Sequence, residues 1–369
     1  MAEKAIAVLG GGNGALTMAA DLVLGGHRVR LYQAPDFAAH PDFEPVLRER
    51  RVVLEGIGRT GVAELEVVST GMGEVVDGVD LVNVVVPANA HETFFEALIP
   101  HLRDGQTVVV WPGNFGSLRL LKMLKDRGVR KDLLIAETNT LPYGTRRSGP
   151  GRVRLLLAAP RVLISALPGS LTQRVVDIIR PIFPCIVPCD NVIATALSNP
   201  NPIIHPPGSL LNVGRIEYSK GEFWMYREGI THSVAKVIRR LYSEAEAVAR
   251  ALGSSIEQYE ERDFWTTASV MGVAFQAPFD TLGVIASIAG PHSVHDRYIT
   301  EDLPYGLVPL AELGRKLGVP TPVAEGIVNI GSVVCGEDYW RTGNTLTRLG
   351  LAGMSREEIV DYVKTKAAL

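Results

Sequence analysis

The residues Gly10-Gly11-Gly12-Asn13-Gly14-Ala15 limit the fold of this chain more than any other stretch. The apolar run Ala5–Leu9 before them reads as a buried parallel strand. After them Leu16, Met18, Ala19, Ala20, Leu22 and Val23 are spaced for a helix, Gly25-Gly26 end it, and the chain from His27 to Tyr32 reads as a second strand. Strand, glycine turn, helix, strand is the opening unit of a dinucleotide-binding fold. Gly10, Gly12 and Ala15 fill the spacing G-x-G-x-x-A. Gly10 permits the tight turn, Gly12 leaves the path of a pyrophosphate open, and Ala15 lets helix and strand pack closely. Asn13 and Gly14 complete the turn, and the helix N-terminus offers free N–H groups and the positive end of its dipole to phosphates. A glycine turn alone is often structural; here its setting points to a bound nucleotide.

The residue that reads the adenosine ribose belongs at the end of the second strand, where an acid usually selects NAD. This strand ends in Gln33, which can bond a 2′-hydroxyl but cannot repel a 2′-phosphate. No cation stands between Ala34 and Ala39, and Arg30 alternates to the opposite face. The expectation is NAD, with NADP admitted.

Alternation of strands and helices continues. Val52–Leu54 and Leu65–Val68 read as two strands of a hairpin or excursion around Gly56–Gly61. The chain from Asp80 to Val86 reads as a fully buried strand, which places Pro87, Asn89 and His91 beside the nicotinamide ribose. His91 is expected to cap or line the next helix rather than to catalyse. Strands at 106–111 and 133–137 flank a helix at 117–127, and the polar stretch Thr138–Arg146 is expected to run as a loop into the active-site cleft, the plainer alternative being a solvated connector. Strand character over 152–166, a helix at 171–183 and a strand at 185–188 end the sheet. The expected fold is an α/β Rossmann-type, doubly wound parallel sheet over residues 1–190, followed by an all-α domain over 191–369. Helical periods fall at 191–199, 227–252, 256–264, 276–288, 305–317, 322–335 and 355–366, the last opened by a Ser355/Glu358 capping box. A substrate cleft is expected between the two domains.

With 369 residues the chain can form two cores, and a net charge of −3 argues against a nucleic-acid or anionic-membrane partner. No uncharged apolar run reaches a membrane span, and with a strand read from Ala5 no signal peptide is expected. Cys185, Cys189 and Cys335 lack metal-ligand spacing, so no metal is expected and a cytoplasmic setting with reduced thiols is.

Two stretches of the helical half look unlike packing. In Asn199-Pro200-Asn201-Pro202-Ile203-Ile204-His205-Pro206-Pro207-Gly208, four prolines stiffen the backbone around one histidine, suited to proton transfer beside a hydride acceptor. The plainer alternative is a histidine satisfied in a helix-entry turn. The stretch His295–Leu307 is dense in charge: Arg297 can grip a carboxylate with its planar fork, and Asp302 can orient an imidazole. The plainer alternative is a solvated loop with surface ion pairs.

Taken together, the Gly10–Ala15 turn, Asn199–Pro207, Arg297–Asp302 and the Pro304–Leu307 turn resemble the opine dehydrogenases, over essentially the whole chain. The pair N-P-x-x-x-H-P and R-x-x-x-x-D carries the resemblance more specifically than the glycines do. The resemblance implies condensation of an amino acid's amine with a 2-oxo acid such as pyruvate, and reduction of the imine by NAD(P)H to a secondary amine dicarboxylic acid. It implies His205 as the catalytic histidine with Asp302 as its partner, Arg297 as the substrate-binding arginine and Asn201 as a substrate or nicotinamide contact. Gln33 departs from the acid many relatives carry. The partners implied are small molecules, with a homodimer left open. Two other readings compete: a 2-oxo acid or β-hydroxy acid dehydrogenase of the ketopantoate or glycerol-3-phosphate type, which would place a lysine near the domain junction, and a non-enzymatic NAD-binding redox sensor.

Overall fold

The computed structural model describes residues 3–260, 264 and 289–368. They form two compact units: the chain up to Cys189 together with Ala367 and Ala368, and Asp190–Lys366.

The first unit contains twelve strands: β1 (Ala5–Leu9), β2 (Arg28–Tyr32), β3 (Arg51–Gly56), β4 (Gly61–Glu64), β5 (Val67–Ser69), β6 (Leu81–Val84), β7 (Thr107–Val110), β8 (Leu134–Thr138), β9 (Tyr143–Gly149), β10 (Arg152–Ala158), β11 (Val162–Leu167) and β12 (Ile186–Pro188). Eight of them form one sheet in the order β12-β11-β8-β7-β6-β1-β2-β5. Every pairing in it is parallel except β11 with β8. The central strands read as continuous apolar runs because helices cover both faces, and Val82, Val84, Val108, Val109 and Val110 are fully buried. Asn83, the one polar residue of β6, is satisfied in the core by the Ala7 carbonyl at 3.3 Å and the Trp111 indole N–H at 2.9 Å.

Sequence pattern did not anticipate the second sheet, ordered β4-β3-β10-β9. The hairpin arm after Gly56–Gly61 is β4, not Leu65–Val68. The chain changes sheets at Leu65 and Glu66, whose N–H groups donate to Arg50 and Val29 respectively, and β5 then runs parallel to β2. The Thr138–Arg146 stretch is likewise no open loop beyond Pro142. From Tyr143 it is β9, paired antiparallel with β10. It is tied to the first helix, α1 (Asn13–Leu24), through Thr145–Thr17 hydroxyls at 2.7 Å and Tyr143 Oη–Asp21 at 2.8 Å. Pairing partners nearly adjacent in sequence made a strand of what composition alone presents as polar coil.

The second unit is helical. Its longest helix among the described residues, His232–Ala251, is capped by Thr231 and buries Val234, Ile238, Leu241, Ala245 and Val248 along one stripe. Glu244, buried on that helix, accepts from the Val323 and Ala324 N–H groups and so caps the helix Pro322–Cys335. The Ser355/Glu358 capping box is formed, and its helix Arg356–Asp361 continues as a π-turn to Lys366. Residues 254–260, expected to open a helix at 256, run as irregular chain. The rest of that expected helix, save Phe264, and the one at 276–288 lie outside the described residues.

Candidate active site

Gly10 takes φ +130°, and a Cβ there would stand 2.4 Å from the Val85 carbonyl oxygen, so the turn requires glycine. Gly12 differs: its φ of −78° suits any residue, and a Cβ there would meet nothing within 4 Å. The open space lies at the N-terminus of α1, which has no side-chain cap and no acid in its first turn. Its N–H groups are therefore placed to receive a pyrophosphate. Asn13 is the first helical residue, Gly14 lies under Leu141, and Ala15 is buried against Gly10.

Gln33 folds back over this turn. Its Oε1 accepts from the Ala34 N–H at 3.0 Å, and its Nε2 would be 2.3 Å from a Cβ on Gly11. Arg30 is held elsewhere by Glu66 at 2.9 Å. A cation does reach the turn, from a distant strand: Arg147 of β9 donates to the Gly11 carbonyl at 2.8 Å and pairs with Asp42 at 2.7 Å. Sequence reasoning missed it because only the second sheet brings it there.

Pro87 and Asn89 are exposed in the short segment after β6, which leads into the helix His91–Leu98. His91 is packed rather than poised. It is 2 % exposed, its ring stacks on Phe95, and burial pushes its pKa down to about 4.

Glu137 was not singled out by its sequence. At the end of β8 it accepts from the Phe115 N–H, the Ser117 N–H and the Ser117 hydroxyl at 3.2, 2.9 and 2.5 Å, capping the helix Gly116–Asp126. Burial outweighs these donors and pushes its pKa up to about 7. The folded protein therefore holds this proton more tightly than the unfolded chain. The resulting stability is fully present below about pH 4.5, where both states are protonated, and is lost as pH rises to about 7. E137Q cannot titrate, so its Tm relative to wild type should climb between pH 5 and pH 8. A Tm difference that stays constant over that range would contradict this.

In the second unit, the proline-rich stretch, expected to be stiff around its one histidine, is a helix, Asn201–Leu210. Pro202 occupies the first turn, where its missing N–H costs nothing. Pro206 and Pro207 do remove helical donors, but Ile203, Ile204 and every residue through Leu210 are buried, and that packing holds the helix. His205 and Asn201 lie one turn apart on one face. Asn201 is half-buried at the helix start, its N–H donating to the Asn199 side chain.

His205 Nδ1 lies 2.7 Å from Asp302 Oδ2, with both side chains about 5 % exposed or less. Asp302 immediately precedes a π-turn, Leu303–Leu307, whose Gly306 packs on Pro202; a Cβ at 306 would be 2.3 Å from that ring. Glycine at 306 thus brings the aspartate's turn onto the histidine's helix. His205 Nε2 lies 2.8 Å from the Tyr226 hydroxyl, and Tyr298 stacks on the imidazole at 4.0 Å and 6°. Neither tyrosine stands in a motif; only Tyr298, next to Arg297, had a neighbour to signal it. Arg297 opens the helix Arg297–Thr300, half exposed, and pairs with buried Glu301 at 3.2 Å. The described residues thus join His205 to Asp302 directly, and Arg297 to them through its neighbour Tyr298. Among them no group of three or more His, Cys, Asp or Glu is placed to hold a metal, and no helix is long and apolar enough to cross a membrane.

The chain thus joins a parallel-sheet unit that opens on a strand, glycine turn and helix to a helical unit that holds a buried His–Asp pair. Residues 188–335 match the family model for the α-helical domain of NAD/NADP octopine/nopaline dehydrogenases. The opine dehydrogenase of Arthrobacter sp. (strain 1C) is 31% identical over 98% of this chain and 99% of its own length. The vitopine synthase of Allorhizobium ampelinum is 26% identical over 96% and 98%. An octopine dehydrogenase solved with NADH and pyruvate superposes with a TM-score of 0.71 at 19% identity, covering 94% of this chain and 95% of that one. The chain belongs to the opine dehydrogenase family, NAD(P)-dependent oxidoreductases acting on CH–NH bonds.

Proposed function

We propose that this chain condenses the amine of an L-amino acid with a 2-oxo acid such as pyruvate and reduces the resulting imine to a secondary amine dicarboxylic acid. The observation that carries the reading is the buried pair of His205 and Asp302. Asp302 fixes the Nδ1–H tautomer, leaving Nε2 as the atom that takes and returns protons. Condensation needs an uncharged amine and a proton for the departing water, and one base cycling between neutral imidazole and imidazolium serves both. Arg297 carries the cation for a substrate carboxylate, and Asn201, one turn before His205, presents an amide from the same helix face. NADH or NADPH, bound at Gly10–Ala15, supplies the hydride. Gln33 neither repels nor neutralises a 2′-phosphate, and Arg147, the cation beside the turn, is already paired with Asp42, so NADH is preferred and NADPH accepted.

A matrix of amino acids against 2-oxo acids, read as NADH oxidation, tests the reading: turnover should require both substrates. Oxidation by the oxo acid alone would indicate a simple 2-oxo acid reductase, and none with any pair a non-catalytic dinucleotide binder. The cofactor site has its own test in G12V. The backbone accepts valine and nothing crowds a Cβ there, so Tm should hold while the side chain fills the phosphate space. NADH affinity by calorimetry should fall at least about tenfold, the factor that 1.4 kcal/mol represents. Unchanged affinity would move the cofactor away from this turn.

A further inference from the structure

We infer that Tyr226 is the group through which His205 exchanges its proton with the substrate. The inference rests on the reading of His205 as the acid–base residue and extends it by one atom. With Asp302 on Nδ1, that nitrogen carries the hydrogen and Nε2 is the acceptor, so the Tyr226 hydroxyl donates to Nε2 across 2.8 Å. Tyr298 covers one face of the ring, and His205 and Tyr226 are 4 % and 7 % exposed. Both ring nitrogens are thus occupied, and Nε2, the one not held by Asp302, is bonded to a phenol oxygen.

The phenol is held rather than poised to swing aside. Tyr226 lies in the π-turn Met225–Gly229, and Met225 is fully buried against Gly208 of the His205 helix, where a Cβ would stand 2.7 Å from its sulfur. Asn212 Nδ2 donates to the carbonyls of both Gly208 and Gly229, at 2.9 and 3.0 Å, clamping the turn to the end of that helix. One half-buried side chain thus fixes the tyrosine's turn to the histidine's helix, the arrangement of a fixed relay.

The relay balances. As hydride adds to the imine carbon, the C=N π pair becomes the nitrogen lone pair and takes the Tyr226 Oη proton. The Oη–H bond breaks while the imidazolium Nε2–H proton passes to the same oxygen. Tyr226 ends as a neutral phenol, His205 as neutral imidazole, and Asp302 keeps Nδ1–H. The same two transfers protonate the departing hydroxyl during imine formation, and the proton that the nitrogen sheds as the C=N bond forms returns through Oη to Nε2, restoring the imidazolium for the reduction.

The test compares Y226F, H205Q and a protein carrying 3-fluorotyrosine at 226, by kcat and KM for both substrates from pH 5 to 10, with Tm and NADH affinity measured alongside. Y226F should keep NADH affinity and lose at least about tenfold in kcat, with smaller changes in KM. Fluorotyrosine barely changes the shape of the side chain but acidifies the phenol, so it should move a limb of the kcat profile to lower pH, which packing alone cannot do. A Y226F enzyme within about twofold of wild type, or a fluorotyrosine profile that superposes on wild type, overturns the relay while H205Q remains impaired. An active H205Q instead overturns the reading of His205 beneath it.

Discussion

Replacing His205 with glutamine should lower turnover by roughly 100-fold or more, the usual scale for losing general acid–base help. The side chain is buried, and its two nitrogens are committed to Asp302 and Tyr226. Glutamine can donate one N–H to Asp302, so the aspartate keeps a partner and the fold should survive, but an amide cannot cycle a proton near neutral pH. D302N acts on the same chain from the other end. An asparagine amide donates toward Nδ1, favours the opposite tautomer and points Nε2–H at Tyr226. Its turnover should fall by roughly two to four orders of magnitude, the range between losing an acid–base group and inverting a histidine's tautomer. Both variants should bind NADH normally, because the glycine turn lies in the other unit of the chain. Steady-state kinetics over pH 5–10 checks the pair: an ionisation limb of the wild-type kcat profile should be absent in H205Q. If it survives, His205 does not carry the proton.

How much of this was visible beforehand follows from the range of the interactions. The Gly10–Ala15 turn was legible because strand, turn and helix are contiguous, and each glycine acts through its own backbone. His205 and Asp302 stood out because prolines and charge mark the segments around them, although their meeting depends on Gly306 packing against Pro202. The helix at Asn201–Leu210 was hidden by the same prolines. Their local penalty is real, and only the burial of the segment, a property of the whole unit, overrides it. Arg147 and Tyr226 were illegible for a stricter reason. Each reaches its place through pairing or packing with residues far along the chain, and no spacing encodes that. Glu137 shows the same limit: an acid in an apolar strand end gives no sign that it will cap a helix more than ten residues earlier in the chain.

The π-turns add a physical point. Tyr226 and Asp302, the two partners of His205, both belong to such turns or adjoin them. A π-turn displaces side chains from the regular helical register and is common at functional sites. Here the two turns bring a phenol and a carboxylate to opposite edges of one imidazole, which two regular helices crossing the same helix would have to achieve by crossing angle alone.

Arg297 provides the sharpest remaining test, because its geometry admits two outcomes. It pairs with Glu301 one turn along its own short helix, and its side chain is half exposed, as a surface ion pair would be. Yet it also adjoins Tyr298, which stacks on His205, and Glu301 engages one guanidinium nitrogen of a group with five donors. Both substrates of the proposed reaction are carboxylates, and a fork that grips two oxygens fixes the reacting carbon in direction as well as distance. R297K separates the outcomes, since lysine keeps the charge and the pairing with Glu301 but loses the fork. As a clamp, Arg297 should cost the variant more than tenfold in kcat/KM for the oxo acid or the amino acid, since 1.4 kcal/mol already represents a factor of ten, while NADH affinity stays normal. As an exposed ion pair it contributes only about 0–1 kcal/mol, and lysine preserves most of that. Steady-state kinetics with each substrate varied in turn decides: an efficiency within about twofold of wild type for both would remove Arg297 from the site and leave the substrate carboxylate to another cation.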